Sequence, residues 1–180
     1  MNNLAFSSME LAELLGKPLI TITDWVTKRT ITPDLKPASG RGSTRRYSYQ
    51  ATLESGLALH LRDVLGISIH DVRVAVDHAR ERGVFKGLRP LDGPLPQSLV
   101  LRKDIDGVCH PHFFKGGDER VMRGVAKLRK TLGSDHMVSF IMVSLNEVKR
   151  QVDTQLATRL SKKVFLICRT GAAPGLPAPN

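Results

Sequence analysis

Residues 7–29 read SSMELAELLGKPLITITDWVTKR, and this stretch decides the fold because it holds two helix signals separated by a glycine. Ser7 and Glu10 have the spacing of a capping box, which predicts that the first helix begins at Ser7. Gly16 is suited to end this helix, since glycine adopts left-handed backbone conformations without steric cost. Pro18 then favours the first turn of a new helix. Two short helices with so tight a connection are typical of a helix-turn-helix.

The second helix is predicted over residues 18–28 and has two different faces. Ile22, Trp25 and Val26 are three and four residues apart, so we expect them to pack against the first helix. Trp25 is therefore interpreted as a core residue rather than a contact residue. The opposite face, which would meet the major groove of DNA, carries Thr21, Asp24, Thr27 and Lys28.

A basic loop follows the second helix. Residues 37–44 read PASGRGST, a composition that favours a flexible wing able to follow a phosphate backbone. We expect Arg41, Arg45 and Arg46 to contact phosphate oxygens or to probe a minor groove. Two roles are open to Tyr47: it could donate its hydroxyl to DNA, or it could pack beneath the wing.

Positive charge is concentrated around these elements. Between Lys17 and Tyr49 there are seven Lys or Arg residues against two acidic residues, within a chain whose net charge is +10. A solvated basic loop without a partner would have the same charge. Its place inside a helix-turn-helix frame favours nucleic acid as the partner.

Four segments resemble the MerR family of DNA-binding transcription regulators. Residues 16–25 and 31–33, GKPLITITDW and ITP, are similar to the family's run of Gly-Val-Ser, two variable residues, Thr-Leu-Arg-Tyr-Trp/Tyr and then Gly-Leu-Leu-x-Pro. Residues 45–48, RRYS, resemble its wing signature, and residues 65–73, LGISIHDVR, resemble the start of its fourth helix. Together these segments anchor about 75 of the 180 residues. The resemblance implies a winged helix-turn-helix that binds double-stranded DNA as a homodimer.

The chain departs from the family at the recognition helix and just after it. Thr23 and Asp24 stand where the family has Arg-Tyr, which removes a cationic phosphate partner and adds a carboxylate. Asp24 could accept a hydrogen bond from a cytosine amino group, or it could be only an exposed or capping residue. Arg29 replaces a glycine, so the following turn could be built differently. The predicted DNA contacts are Lys17, Thr21, Thr23, Asp24, Lys28, Arg29, Arg41, Arg45, Arg46 and Tyr47.

Two supporting helices complete the predicted DNA-binding domain, residues 1–83. The second begins at Ser68, has Asp71 as its capping partner and ends near Gly83. The first covers residues 51–65 and places four apolar residues at helical spacing, Leu53, Leu57, Leu61 and Val64.

The second half predicts a small α+β accessory domain over residues 98–170, after a Gly- and Pro-rich linker at 84–97. Its predicted elements are a hairpin turning at Asp106-Gly107, a helix over 118–132, a buried strand over 137–145, a helix over 146–163 capped by Asn146, and a short strand within 161–168. Residues 171–180 form a Pro/Ala/Gly tail with no reason to fold. The predicted fold class is therefore α+β, with a MerR-like winged helix-turn-helix followed by a small mixed α/β domain.

Two features of the second half leave alternatives open. The helix over 146–163 could pair across a twofold axis, although we favour the interpretation that it covers its own sheet. A basic cluster on and beside the helix over 118–132 could contact phosphates, bind an acidic partner or form a solvated face. It consists of Lys115, Arg120, Arg123, Lys127, Arg129 and Lys130. Dimerisation is still expected, because one DNA-binding module reads only a short half-site.

Metal and catalytic chemistry are not indicated. Cys109, His110 and His112 are suitable metal ligands, but strand alternation puts Cys109 on the face opposite the two histidines, and no second ligand pair lies nearby. The sequence has no Gly-rich phosphate loop, no carboxylate pair in an apolar frame and no nucleophile motif. We therefore expect no metal site, no cofactor and no enzymatic activity. Two Cys and the lack of a long apolar run predict a cytoplasmic protein.

Two functions are consistent with these features. The first is a sequence-specific DNA-binding transcriptional regulator. The alternative is an architectural or nucleoprotein-assembly factor, as in excisionase-like and chromosome-organising relatives of this module. A protein partner or small-molecule effector at the accessory domain is a further hypothesis.

Overall fold

The computed structural model of the protein describes residues 4–36, 44–132 and 139–170. Most of the predicted wing, 37–43, and the predicted tail, 171–180, lie outside the described residues. Helices and two small sheets occur together, which confirms the α+β class. The elements are β1 Ala5–Ser7, α1 Ser8–Leu15, α2 Leu19–Thr27, β2 Arg46–Ser48, α3 Tyr49–Leu59, α4 Ile69–Glu81, β3 Gln97–Lys103, β4 Cys109–Lys115, α5 Asp118–Leu132, β5 Ser139–Ser144 and α6 Leu145–Thr170. Among the described helices, none has the length and apolar content that crossing a lipid bilayer requires.

The two predicted N-terminal helices form where expected. The Ser7 hydroxyl accepts a hydrogen bond of 3.2 Å from the Glu10 amide, and the Glu10 carboxylate accepts one of 2.9 Å from the Ser7 amide, which completes the capping box. Such a cap stabilises a helix by roughly 1 kcal/mol. Gly16 ends α1 in the left-handed conformation, with a φ of 61°. Ile22 and Trp25 of α2 are buried, as predicted.

A two-stranded antiparallel sheet joins the start of the chain to the end of the predicted wing. β1 pairs with β2 so that Phe6 lies opposite Tyr47. A bridge between Lys36 and Arg46 adds a further segment beside β2. The sequence did not predict β1, because three residues show too little alternation to indicate a strand.

The predicted apolar stripe of α3 is fully buried at Leu53, Leu57 and Leu61. Val64 does not belong to this stripe: it is 66% exposed, so this part of the prediction was wrong. The segment His60–Val64 is π-helical, with hydrogen bonds that span five residues instead of four. The wider turn rotates the side chains that follow away from the core face.

α4 begins and ends as predicted. The Ser68 hydroxyl accepts a hydrogen bond of 3.2 Å from the Asp71 amide and donates one of 2.9 Å to the Asp71 carboxylate. Gly83 follows the helix with a φ of 61°. Lys103 of β3 reaches the same carboxylate at 2.7 Å, so this cap also connects α4 to the second sheet.

The second sheet is antiparallel, in the order β4-β3-β5. The predicted hairpin between β3 and β4 is confirmed, with Gly107 in its turn at a φ of 77°. α5 has the predicted bounds and buries Val121 and Val125 in a small core against the sheet. This contact requires a glycine at Gly124, because a Cβ there would lie 2.4 Å from a ring carbon of Phe114.

β5 is less buried than predicted. Within this strand only Val143 is buried, whereas Phe140 and Met142 are 46% and 39% exposed. The prediction of a buried strand was therefore wrong. The reason is position: β5 is an outer strand, and α5 packs on β4 and β3 instead.

α6 extends from Leu145 to Thr170 and is longer than predicted. The strand predicted within 161–168 is wrong, because a short apolar run does not distinguish a strand from a helix. Asn146 is also not the cap. Its side chain accepts a hydrogen bond of 3.0 Å from the Leu95 amide, whereas the Ser144 hydroxyl accepts one of 3.4 Å from a first-turn amide of α6.

The main hydrophobic core is continuous through both halves of the chain. It extends from Phe6 to Leu156 and includes Phe85 and Leu95, which belong to the predicted linker 84–97. α6 packs against β3 of its own sheet, as the favoured interpretation expected, and also against α1 and α3, which was not predicted. The predicted linker is thus part of the packed structure, while the division into two domains stays a prediction.

Candidate nucleic-acid interface

The outward face of α2 combines apolar and polar side chains. Ile20 is 73% exposed. Three polar residues follow it at helical spacing and share its side, Thr23, Asp24 and Thr27. Thr21 is half-buried between this side and the core. The sequence-based contact set missed Ile20, although its distance of four residues from Asp24 would have placed it on the predicted outer face.

Asp24 and Lys28 form an ion pair on this face, with 2.8 Å between Lys28 Nζ and a carboxylate oxygen of Asp24. Both side chains are about half exposed. An exposed pair at this spacing contributes only about 0.3 to 0.5 kcal/mol. Lys28 can therefore exchange the Asp24 carboxylate for a phosphate oxygen at small cost.

A groove of about 460 Å³ brings three separate parts of the chain together. It is lined by the start of α1, the outer side of α2 and the end of the predicted wing. The lining residues are Ser7, Ser8, Met9, Leu19, Thr23, Thr44 and Arg45. The structure thus brings Thr23 and Arg45, two of the predicted contacts, to one surface.

Met9 and Leu19 are exposed apolar residues at the rim of this groove, at 60% and 43% exposure. Sequence reasoning did not include them. They could have been found only from the closeness of the start of α1 to the end of the predicted wing. That closeness results from the pairing of β1 with β2, which was not predicted. Aliphatic side chains here provide van der Waals contact rather than charge.

Two cations, Lys36 and Arg46, lie on paired segments at the ends of the predicted wing. Lys36 is bridged to Arg46, and both are exposed. One Arg46 guanidinium nitrogen lies 3.9 Å from a Glu10 carboxylate oxygen, and Arg159 of α6 approaches the same carboxylate at 2.9 Å. Arg41, the predicted contact at the wing tip, lies outside the described residues.

Tyr47 must be removed from the set of predicted contacts. Its side chain is completely buried, and its hydroxyl lies 3.4 Å from the hydroxyl of Ser8. It packs in the main core, because β2 places it opposite Phe6 of β1. This is the second of the two roles that the sequence left open.

Lys17 and Arg29 flank α2. Lys17 is ion-paired with Asp63 in the π-helical segment and is partly exposed. Arg29 is exposed and has a φ of 57°, the left-handed conformation that glycine adopts freely. The turn after α2 therefore keeps a glycine-like backbone although the residue is an arginine. A side chain in this conformation costs roughly 1 to 2 kcal/mol.

The Cys-His segment of β4 has the predicted alternation. Cys109 is buried, and burial raises the pKa of its thiol. His110 forms a hydrogen bond of 2.7 Å with the Asp104 carboxylate. Within the part of the chain that the structure describes, no three Cys, His, Asp or Glu side chains form a group that could hold a metal ion.

Comparison with known proteins gives a partial likeness. No family model matches the chain. Uncharacterized HTH-type transcriptional regulators of Mycobacterium bovis and Mycobacterium tuberculosis are 43% identical to it over 60 residues. This stretch is 33% of the present chain and 26% of each relative, so the chain matches about a quarter of the length of these curated relatives. Over a third of its length, the chain is similar to proteins described as HTH-type transcriptional regulators.

Proposed function

We propose that this protein is a sequence-specific, DNA-binding transcription regulator. In this proposal α1 and α2 form the helix-turn-helix of a MerR-like winged domain, and α2 enters the major groove. The observation that carries the proposal is the groove in which Thr23 of α2 and Arg45 of the wing base lie together. A recognition helix that shares one surface with a positively charged segment can contact the bases while that segment contacts the adjacent DNA backbone.

The outer face of α2 has groups suited to reading base edges. Ile20 can contact the methyl group of thymine, and Asp24 can accept a hydrogen bond from the amino group of cytosine. Thr27 lies one turn further along the same side. Because Asp24 is ion-paired with Lys28, substituting Asp24 would remove a base contact and would also change the net charge of this face.

The cations around α2 supply the phosphate contacts. Lys28, Arg29 and Lys36 are exposed, and Arg45 lines the groove. Lys17, Arg41 and Arg46 complete the proposed set. Because such contacts release condensed counterions, they make the affinity strongly dependent on salt.

The protein acts as a homodimer in this proposal, without catalytic activity and in the cytoplasm, where it meets chromosomal DNA. One module reads only a short half-site, and doubling it increases both the affinity and the length of sequence read. The partial likeness to HTH-type transcriptional regulators supports a regulatory role over an architectural one.

Selection of bound duplexes from a random pool by the full chain, at two salt concentrations, tests the proposal. We expect one recurrent motif with two half-sites about 10 base pairs apart or a multiple of this distance. Recovery of unrelated sequences at both salt concentrations would instead favour an architectural factor. Repeating the selection with Asp24→Asn tests the reading helix, because only the position read by Asp24 should change its base preference.

A matched control for this selection is Lys86→Ala, which removes an exposed cation that does not line the groove. This variant should recover the same motif as the unchanged protein. If Asp24→Asn and Lys86→Ala select identical motifs, Asp24 does not read a base.

A further inference from the structure

A second cavity, of about 310 Å³, lies at the outer edge of the second sheet between β4 and α5. Its volume is at the lower end of the range for small-ligand pockets, roughly 300 to 1,000 Å³. Apolar walls come from Phe113, Phe114 and Leu128, and the polar lining includes Arg82, His112 and Lys127. No acidic side chain among the described residues lines it. The cavity therefore has a net positive lining.

The position of Arg82 is set by a short chain of contacts. The His78 ring stacks on Phe113, with 5.8 Å between ring centroids and 19° between planes. Arg82 donates a hydrogen bond of 3.1 Å from Nε to Nε2 of His78. The acceptor is an imidazole nitrogen rather than a carboxylate. Neither Arg82 nor Lys127 has an acidic partner among the described residues, so both positive charges are available to an anion.

His112 adds a buried polar atom without a partner. Its Nε2 is inaccessible and has no hydrogen bond within the described part of the chain. Burial lowers the pKa of His112, and the positive charge of Arg102 on β3 lowers it further, followed by His110, His78 and Arg82. An anion in the cavity would oppose these positive charges.

The geometry points to a phosphate-binding pocket in which Arg82 and Lys127 hold the oxygen atoms of one phosphate group beside the His112 ring. The two cationic donors come from the end of α4 and from α5, and the ring belongs to β4. A tetrahedral anion with several oxygen atoms satisfies such donors better than a planar carboxylate does. Among the described residues, none of α2 or of the predicted wing lines this pocket, so the inference goes beyond the proposed reading of DNA.

The test follows the His112 ring by NMR in the full chain while inorganic phosphate is added at constant ionic strength. We expect a saturable change of the ring signal and an upward shift of the His112 pKa, because a bound anion favours the imidazolium form. Sodium chloride at equal ionic strength should give no saturable change. Absence of saturation with phosphate would overturn the proposal.

Paired variants test the two cations. Arg82→Gln with Lys127→Gln should weaken phosphate binding by at least about tenfold, since each removes a charge-assisted hydrogen bond. The matched control is Arg129→Gln with Lys130→Gln, two exposed cations of α5 that do not line the cavity. An equal loss in both double variants would show only diffuse attraction and would contradict a built site. Thermal unfolding of both variants checks that the fold is retained.

The phosphate could belong to a free phosphorylated molecule or to a DNA backbone, and a duplex titration distinguishes these sources. For a backbone phosphate, Arg82→Gln with Lys127→Gln should lower the slope of log affinity against log salt by roughly 0.9 for each contact. For a free ligand, the slope should stay the same, and phosphate should bind in the presence of saturating duplex. The phosphate titration itself does not require DNA binding, so its failure is distinguishable from failure of the proposed function.

Discussion

The hydroxyl of Tyr49 donates a hydrogen bond of 2.5 Å to the carboxylate of Asp153, which joins the first residue of α3 to α6. Lys149 is only 2% exposed and donates to the same carboxylate at 2.6 Å and to the Asp92 carbonyl at 2.8 Å. Burial, reinforced by the hydrogen bond to Asp153, raises the pKa of Tyr49, so its hydroxyl remains a donor. This buried network connects the start of α3, directly after β2, to α6.

We predict that Lys149→Met lowers the free energy of unfolding by about 3 to 5 kcal/mol, because it leaves the Asp153 carboxylate buried without a cation. Urea denaturation of the full chain measures this loss. The double variant Lys149→Met with Asp153→Leu should recover part of it, since neither charge then remains buried although the Tyr49 hydroxyl loses its acceptor. A double variant as unstable as the single one would show that packing, rather than the ion pair, explains the effect.

A second prediction concerns the contact between α3 and α6. A Cβ at Gly56 would lie 2.8 Å from a methyl carbon of Val152, closer than real Cβ contacts. Gly56→Ala should therefore destabilise the protein by about 1 to 3 kcal/mol, although alanine favours a free helix over glycine by about 1 kcal/mol. In a double-mutant cycle with Val152→Ala, part of the loss should be recovered. Strict additivity of the two variants would contradict a direct contact.

Local signals predicted much of the architecture. The caps at Ser7 and Ser68, the stop at Gly16 and the hairpin turn at Gly107 depend on neighbours within a few residues, and all four are confirmed. A side-chain hydroxyl that caps an amide three residues later, and a glycine that ends a helix or forms a turn, both depend on short sequence spacings. Such spacings can be read from the sequence alone.

The errors involve contacts between distant residues. Phe140 was expected in the core, but it is exposed because its strand, β5, lies at the edge of the sheet. The spacing of apolar residues along the sequence does not reveal the order of strands in a sheet. Phe85 was assigned to a linker because Gly and Pro surround it, yet it is buried in the main core. At the candidate interface, α2 and Arg45 were predicted individually, whereas the groove that joins them depends on β1 pairing with β2.

A third prediction uses the strained backbone at Arg29. Arg29→Gly should relieve the left-handed conformation and raise the free energy of unfolding by up to about 1 kcal/mol, after the greater chain entropy of glycine is subtracted. The same variant should weaken DNA binding, because it removes a proposed phosphate contact. Arg29→Ala is the control: it should weaken binding equally without any gain in stability. A gain in stability from alanine would rule out backbone strain as the cause.

A fourth prediction concerns pH. Burial alone would raise the pKa of Asp71, but hydrogen bonds from Lys103 and Ser68 outweigh it and hold this pKa below its usual range. A carboxyl group whose pKa is lower in the folded state stabilises the fold above its unfolded pKa, near 3.9, and loses this contribution as pH falls through the folded value. The stability difference between the unchanged protein and Asp71→Asn should therefore be constant above about pH 5 and shrink below about pH 4. A difference that persists unchanged to pH 2.5 would contradict this account.

The most direct test of the central claim is the salt dependence of DNA binding by Arg45→Ala, measured in the full chain on a selected duplex. Arg45 lies in the groove beside Thr23, so its removal should lower the slope of log affinity against log salt by roughly 0.9, the loss of one phosphate contact. Lys86→Ala, with its exposed cation away from this groove, should leave the slope unchanged. An Arg45→Ala variant that binds the duplex with the original affinity and the original slope would contradict the placement of DNA on this surface.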